Sequence, residues 1–147
     1  MILYHFTTLS ALESIRREGL NRGEAPISES RAEKAVNLTT DRDPSGHGLD
    51  HGGHVVSEEE AATFAAKGFK IPAGTVYANK REARITIKLP SNDPKLKRWR
   101  SWSRKHCEPG YAERLEEAAG QGGRKAKTWW LYFGTVPTEA FLEIDLL

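Results

Sequence analysis

Short hydrophobic segments separated by polar residues predict two strands and one helix within the first forty residues. Residues 2–7 are predominantly apolar and predict a first strand. Residues 10–18 carry apolar side chains at helical spacing and end at Gly19, which accepts the left-handed backbone found after helices. The polar stretch 21–35 predicts a loop containing a short helical piece, and 36–40 predicts a second strand.

Two serines that precede predicted helices are each followed three residues later by glutamate, which is the pattern of a helix-capping box. Ser10 with Glu13 predicts the start of the first helix. Ser57 with Glu60 predicts a second helix that runs to about Lys67. In both cases a hydroxyl would accept a hydrogen bond from a backbone N–H that has no partner within the helix.

The rest of the chain alternates between further strands and helices, which predicts a single α+β domain of 147 residues. Residues 41–56 are rich in glycine, histidine and aspartate and predict a long loop. The other predicted elements are a strand over 83–89, a helix beginning at 93, a helix over 111–119 and strands over 128–136 and 141–146.

Composition narrows the cellular setting. No run approaches the ~18 consecutive apolar residues that a membrane span requires. The residues after Met1 lack the basic start and cleavage site of a signal peptide, and the single cysteine, Cys107, cannot form an internal disulfide. These features predict a cytoplasmic protein.

Positive charge is concentrated in residues 95–105, here called the basic tract, although the net charge is only +2. Its cations could neutralise nucleic-acid phosphates while its tryptophans stack on bases. The alternative, which the three-residue spacing favours, is an amphipathic helix that buries Leu96, Trp99 and Trp102. The candidate phosphate contacts are Lys97, Arg98, Arg100 and Arg104.

Several short motifs occur in a characteristic order. The first strand reads Tyr-His-x-Thr at 4–7, the following helix ends in Gly-Leu at 19–20, the next strand reads Leu-Thr-Thr at 38–40, and Val-Pro follows at 136–137. This layout resembles the ADP-ribosyltransferase superfamily, including its RNA 2′-phosphotransferase and DNA-modifying toxin branches.

The resemblance implies one domain over residues 1–147 with a split, twisted antiparallel sheet and flanking helices. It also implies NAD as the substrate and transfer of ADP-ribose to a protein or nucleic-acid acceptor. Through this resemblance His5 is expected to hydrogen-bond a ribose hydroxyl of NAD, with Thr39 beside it as the second catalytic residue. Thr7, Thr40 and Trp129 are the other expected contacts to NAD.

The chain departs from this superfamily at the strand that many of its transferases begin with a catalytic glutamate. Here the matching place holds Thr128 or Trp129. Glu82 and Glu139 are the alternative carboxylates. The departure keeps a second function open, in which a non-catalytic binding or inhibitor protein retains the fold.

A third function is phosphate processing on RNA, as in the 2′-phosphotransferase branch. That chemistry needs arginines beside the histidine, because a guanidinium binds phosphate through two hydrogen bonds. The candidates are Arg31, Arg81 and Arg84.

The histidine-rich loop contains residue types that bind zinc, namely His47, His51 and His54 with Asp43 and Asp50. The intervening glycines argue against the helix that would align these side chains, so no metal is expected and a polar loop is the preferred interpretation. In the superfamily this region can cover the nucleotide, which makes His47 or His51 a candidate contact to the diphosphate.

Overall fold

A six-stranded antiparallel sheet forms the centre of the computed structural model, which describes residues 1–49 and 52–147. The strands, in chain order, are β1 (Ile2–Thr7), β2 (Glu24–Pro26), β3 (Ala32–Lys34), β4 (Val36–Thr39), β5 (Ala83–Lys88), β6 (Leu96–Arg98), β7 (Trp129–Tyr132) and β8 (Phe141–Leu146). The large sheet has the order β6-β7-β4-β1-β5-β8, and β2 and β3 form a separate hairpin.

Helices flank the sheet, which confirms a single α+β domain. They are α1 (Leu12–Glu18), α2 (Glu58–Ala66), α3 (Trp99–His106) and α4 (Tyr111–Ala118). Single turns or short runs of 3-10 helix occupy Leu9–Ala11, Gln121–Thr128 and Thr138–Ala140. None of the helices in the described parts of the chain is long and apolar enough to cross a membrane.

Two buried clusters lie on opposite faces of the sheet. On one face α1 contributes Leu12 and Ile15, which pack with strand residues that include Leu38. On the other face α3 contributes Trp99, which packs with Leu131 of β7. Because successive residues of a strand point to opposite faces, β7 supplies side chains to both clusters.

The sheet is weakly joined at its middle. Strand β1 pairs with β5 along its whole length, whereas its pairing with β4 consists of the single register pair Tyr4↔Thr39 among the described residues. Beyond that pair the two strands diverge, and the ring Nδ1 of His5 reaches the backbone carbonyl of Asn37 at 2.9 Å. A side chain therefore links the two strands beyond the point where their backbones pair.

The two predicted capping boxes have different outcomes. Ser57 and Glu60 form the full box at the start of α2, as predicted. The Ser10 box is wrong, because a turn of 3-10 helix precedes α1, which begins at Leu12. The Ser10 hydroxyl instead lies 3.1 Å from that of Thr8.

Two further local predictions are wrong. The stretch 21–35, expected to be a loop with a helical piece, contains the β2–β3 hairpin. The helix predicted to begin at residue 93 begins only at Trp99. Before it, Leu96–Arg98 pairs with β7 as an edge strand. The Asp93 carboxylate accepts hydrogen bonds from the Lys95 amide and the Tyr132 hydroxyl, which stabilises the preceding turn.

A glycine is required at position 19, where the chain leaves α1 and runs beside the segment that contains Val136. Its φ of +80° and ψ of −172° lie in a region that only glycine adopts easily, and a Cβ there would collide with the carbonyl oxygen of Val136. The next residue, Leu20, exchanges two backbone hydrogen bonds with Val136, each 2.9 Å long. These bonds prevent Gly19 from moving away from the strand-like segment beside it.

We predict that Gly19→Ala lowers the free energy of unfolding by about 1–3 kcal/mol from backbone strain alone, with the collision adding to the loss. Chemical denaturation measures the change. Gly74→Ala is the control, because Gly74 also has a positive φ, +88°, but nothing lies within 4 Å of an added Cβ. Equal losses in the two variants would contradict the account.

Candidate functional site

A cavity of about 720 Å³ opens where β1 and β4 diverge. Its walls come from β1, α1, the segment after α1, β4, β7 and the loop that follows β4. The segment before β5 and the first residue of α3 also contribute to the lining. A volume of this size is typical of pockets that bind small molecules or cofactors. The cavity includes His5, Thr7, Thr39 and Trp129 in its lining.

His5 presents one ring nitrogen to a ligand. Its Nδ1 must donate to the carbonyl of Asn37, because a carbonyl only accepts. In the neutral ring Nε2 is then an acceptor, and it has no hydrogen-bond partner among the described residues. Burial lowers the pKa of His5 below its ordinary 6.5, opposed by the Asn37 carbonyl and aided by the positive charge of Lys80. The neutral ring is therefore the form that lines the cavity at pH 7.

Two of the three threonines predicted to contact NAD line the cavity, and the third does not. Thr7 is buried and lines the cavity, as does Thr39. The Thr128 hydroxyl donates to a backbone carbonyl, so the Thr39 hydroxyl must donate to Thr128, 2.8 Å away, and it accepts from the Asp41 amide. Thr39 thus positions the end of β4. Thr40 is exposed and outside the described lining, and its amide donates to the Thr128 carbonyl.

The loop formed by residues 41–49 is held against the body of the protein by Lys125. The ammonium group of Lys125 contacts the carboxylates of Asp41 at 2.7 Å and Asp43 at 3.2 Å, and donates to the Ser45 carbonyl at 2.7 Å. The Ser45 amide and hydroxyl, followed by Lys125, hold the pKa of Asp43 well below its usual range. Burial disfavours ionisation of Asp41, but the hydrogen bonds from Lys125, the Asp43 amide and His47 together outweigh it and lower the pKa of Asp41.

His47 closes this loop over the cavity. The indole Nε1 of Trp129 donates to His47 Nδ1 at 2.9 Å, so Nε2 carries the proton and lies 3.1 Å from an Asp41 oxygen. The imidazole also stacks against Phe6 with ring centroids 6.1 Å apart. Burial lowers the pKa of His47, while Asp41 opposes this and Lys125 reinforces it. Protonation would put a hydrogen on Nδ1, facing the Trp129 N–H.

The basic tract divides into buried and exposed parts. Trp99 and Trp102 are 3% and 7% exposed, which confirms that they belong to the core. Arg100 forms a 2.9 Å ion pair with Glu116. The Arg98 guanidinium lies 5.1 Å above the ring of Trp130, a residue of the cavity lining. Lys97 and Arg104 are exposed.

The described part of the cavity lining contains the cations Arg22 and Lys80 and no carboxylate. Glu82 lies outside the lining and accepts a hydrogen bond from the Leu9 amide. Glu139 is exposed in a short 3-10 helix, also outside it. Neither alternative carboxylate is thus brought to His5, and the lining as a whole favours an anionic ligand.

None of the three arginines proposed for phosphate binding is in the described lining, namely Arg31, Arg81 and Arg84. Arg84 donates to Asp145 at 2.9 Å and to the Arg42 carbonyl at 3.3 Å, so both terminal nitrogens of its guanidinium already have partners. The cations that the described lining does contain are Arg22 and Lys80. Sequence reasoning missed both because each lies in a segment without periodicity.

The candidate metal ligands that the structure describes do not come together. His47 bonds Trp129 and Asp41, whereas His54 contacts Glu60 at 2.8 Å. Within residues 1–49 and 52–147, no three histidine, cysteine or acidic side chains are placed to hold a metal ion. His51 and Asp50 lie outside the described residues.

The chain matches no protein-family model and no curated protein, and no solved structure matches it.

The geometry around His47 predicts that the protein is destabilised by mild acid. The folded protein depresses the pKa of His47, so below about pH 6.5 the unfolded chain binds more protons and the free energy of unfolding falls with pH. His5 contributes with the same sign, whereas Asp41 and Asp43 act only near and below their ordinary 3.8.

We expect His47→Gln to reduce this dependence, because an amide can accept from Trp129 and donate to Asp41 without titrating. Thermal unfolding at about pH 7.5 and pH 5.5 measures it. A variant that loses as much stability as the wild type between those values would show that His47 is not the titrating group.

Proposed function

We propose that this protein is an NAD-dependent ADP-ribosyltransferase with a fold similar to that of the ADP-ribosyltransferase superfamily, and that the cavity binds NAD. One observation carries the proposal: motifs that are far apart in the sequence meet at a single cavity. Residues 4–7, 19–20 and 38–39 all contribute to the lining. Val136, from the Val-Pro motif, is joined to Leu20 by two backbone hydrogen bonds.

Each group in the lining suits a different part of NAD. The Nε2 atom of His5 accepts a hydrogen bond from a ribose hydroxyl. The Trp129 ring offers an apolar face to the nicotinamide or a base. Arg22 and Lys80 carry the positive charge that a diphosphate requires.

Transfer breaks the bond between nicotinamide and C1′ of the ribose and forms a bond from C1′ to the acceptor. Nicotinamide leaves with the electron pair of the broken bond, and positive charge develops on the ribose. A carboxylate near C1′ stabilises that charge in many transferases, but the described lining contains none. An acceptor that is itself an anion would supply the negative charge.

That reasoning supports phosphate processing on RNA as a second candidate function. A phosphate monoester is already ionised at pH 7, so it can attack C1′ without a general base. The specific observation in its favour is a lining with two cations, Arg22 and Lys80, and no described carboxylate. A non-catalytic protein that binds NAD remains the third candidate, and it differs in releasing no nicotinamide.

The basic tract supports a nucleic-acid acceptor. Arg98 covers Trp130, and Trp130 lines the cavity, so the tract begins at the cavity wall. Lys97 and Arg104 are exposed and able to contact phosphates. Arg100 is paired with Glu116 and adds less.

We expect isothermal titration calorimetry to detect NAD binding, with His5→Asn weakening it about tenfold through the loss of one ligand hydrogen bond. Asparagine can still donate to the Asn37 carbonyl but has no group at the position of Nε2. The thermal midpoint should therefore change little. No heat at millimolar NAD would exclude the proposal, and unchanged affinity in His5→Asn would exclude the role of His5. Measuring nicotinamide release in the presence of an RNA 2′-phosphate separates the candidate functions. Phosphate processing releases nicotinamide under these conditions, whereas a non-catalytic NAD-binding protein does not.

For the acceptor surface we predict binding of single-stranded nucleic acid that weakens steeply with salt. Replacing Lys97 and Arg104 together by alanine should reduce the magnitude of the log–log salt slope by roughly 1–2 units, because each phosphate contact releases a counterion. Arg100→Ala is the comparison and should change the slope less. If the double variant keeps the wild-type slope, the acceptor binds elsewhere.

A further inference from the structure

Trp99 is held firmly by its neighbours. It is the first residue of α3, and only 3% of its surface is exposed. Its ring contacts those of Trp102 and Trp129, with centroids 6.0 and 6.1 Å away. Ala126 and Leu131 belong to the same buried cluster. Close packing of this kind fixes the orientation of the indole.

The one polar atom of this side chain is unsatisfied. Trp99 Nε1 is buried and has no hydrogen-bond partner in the part of the chain that the structure describes. An indole N–H can only donate, and buried donors in folded proteins are almost always paired. Trp129 follows that rule, because its Nε1 donates to His47.

The unpaired nitrogen of Trp99 differs from the other unpaired nitrogen that the structure describes, in Arg84, because the Arg84 side chain has further donors. The Nε of Arg84 is the other described buried side-chain nitrogen without a partner. Its guanidinium nevertheless makes hydrogen bonds through its two terminal nitrogens, to Asp145 and to the carbonyl of Arg42. Trp99 has no second nitrogen through which to compensate.

Trp99 is also one of the residues that line the cavity, as is Trp129, whose ring it contacts. We propose that a bound ligand supplies the missing acceptor, so that Trp99 Nε1 donates a hydrogen bond to a ligand oxygen. The identity of the ligand as NAD rests on the function proposed above, and NAD offers carboxamide, ribose and diphosphate oxygens. A ligand without an acceptor at this position leaves the donor buried and unpaired, so Trp99 selects among ligands.

The first test observes the indole proton directly. The chain has four tryptophans, so ¹⁵N-labelled protein gives four indole N–H resonances, which single tryptophan-to-phenylalanine variants assign. On addition of NAD the Trp99 resonance should move downfield, as expected for a new hydrogen bond, and further than that of Trp102. A Trp99 resonance that stays in place while NAD binding saturates would overturn the proposal.

The second test measures affinity by calorimetry. Trp99→Phe removes the donor but retains an aromatic ring, and we expect it to weaken NAD binding roughly three- to tenfold. Trp102→Phe is the matched control, because Trp102 lies in the same helix, is 7% exposed and is outside the described lining. Its affinity should stay within about twofold of the wild type. Equal affinities for Trp99→Phe and the wild type would overturn the proposal.

Repeating both tests with ADP-ribose locates the acceptor. An effect with NAD and ADP-ribose assigns it to the ADP-ribose part, and an effect with NAD alone assigns it to the carboxamide. Wild-type protein that binds no NAD would overturn the proposed function and this inference together. Wild-type protein that binds NAD with no response at Trp99 would overturn this inference only. If Trp99→Phe does not fold, the resonance shift in the wild type decides.

Discussion

The hydrogen bond from His5 Nδ1 to the carbonyl of Asn37 is the interaction on which the site depends. It joins β1 to β4 at the place where their backbones have diverged, beyond the single pair Tyr4↔Thr39. If the two strands paired fully, the sheet would close and no cavity could form between them. The same bond fixes the tautomer of the ring, so that Nε2 is an acceptor. One side chain therefore links the two sides of the cleft and presents to it an acceptor nitrogen that is unpaired among the described residues.

The part of the wall formed by the loop of residues 41–49 depends on a second set of polar contacts. Lys125 pairs with Asp41 and Asp43, and the Trp129 N–H donates to His47. Each donor in this set meets an acceptor only while His47 is neutral and both aspartates are ionised. The loop over the cavity is therefore held best near neutral pH. The scarcity of carboxylates in the described lining gives the cavity a positive character, which suits a diphosphate better than it suits a developing cation.

Local patterns predicted the elements whose signals are short in range. The strand at residues 2–7, the Ser57 capping box and the terminal strand over 141–146 are all found as predicted. The helical spacing of the basic tract predicts a helix at its start, but pairing of Leu96–Arg98 with β7 overrides that spacing. Such long-range pairing leaves no local signal in the sequence. His5 could be identified because a histidine within an apolar strand is conspicuous. Arg22 and Lys80 could not, since only the folded chain brings them to the cavity.

The central claim, that His5 presents Nε2 to NAD in the cleft between β1 and β4, is tested most directly by long-range ¹H–¹⁵N NMR of the histidine rings. The account predicts that His5 near pH 7 is neutral with its proton on Nδ1, because Asn37 offers a carbonyl there. Adding millimolar NAD should then shift the Nε2 resonance and leave Nδ1 protonated. A proton on Nε2 in the free protein, or an Nε2 resonance that NAD does not move, would contradict the account.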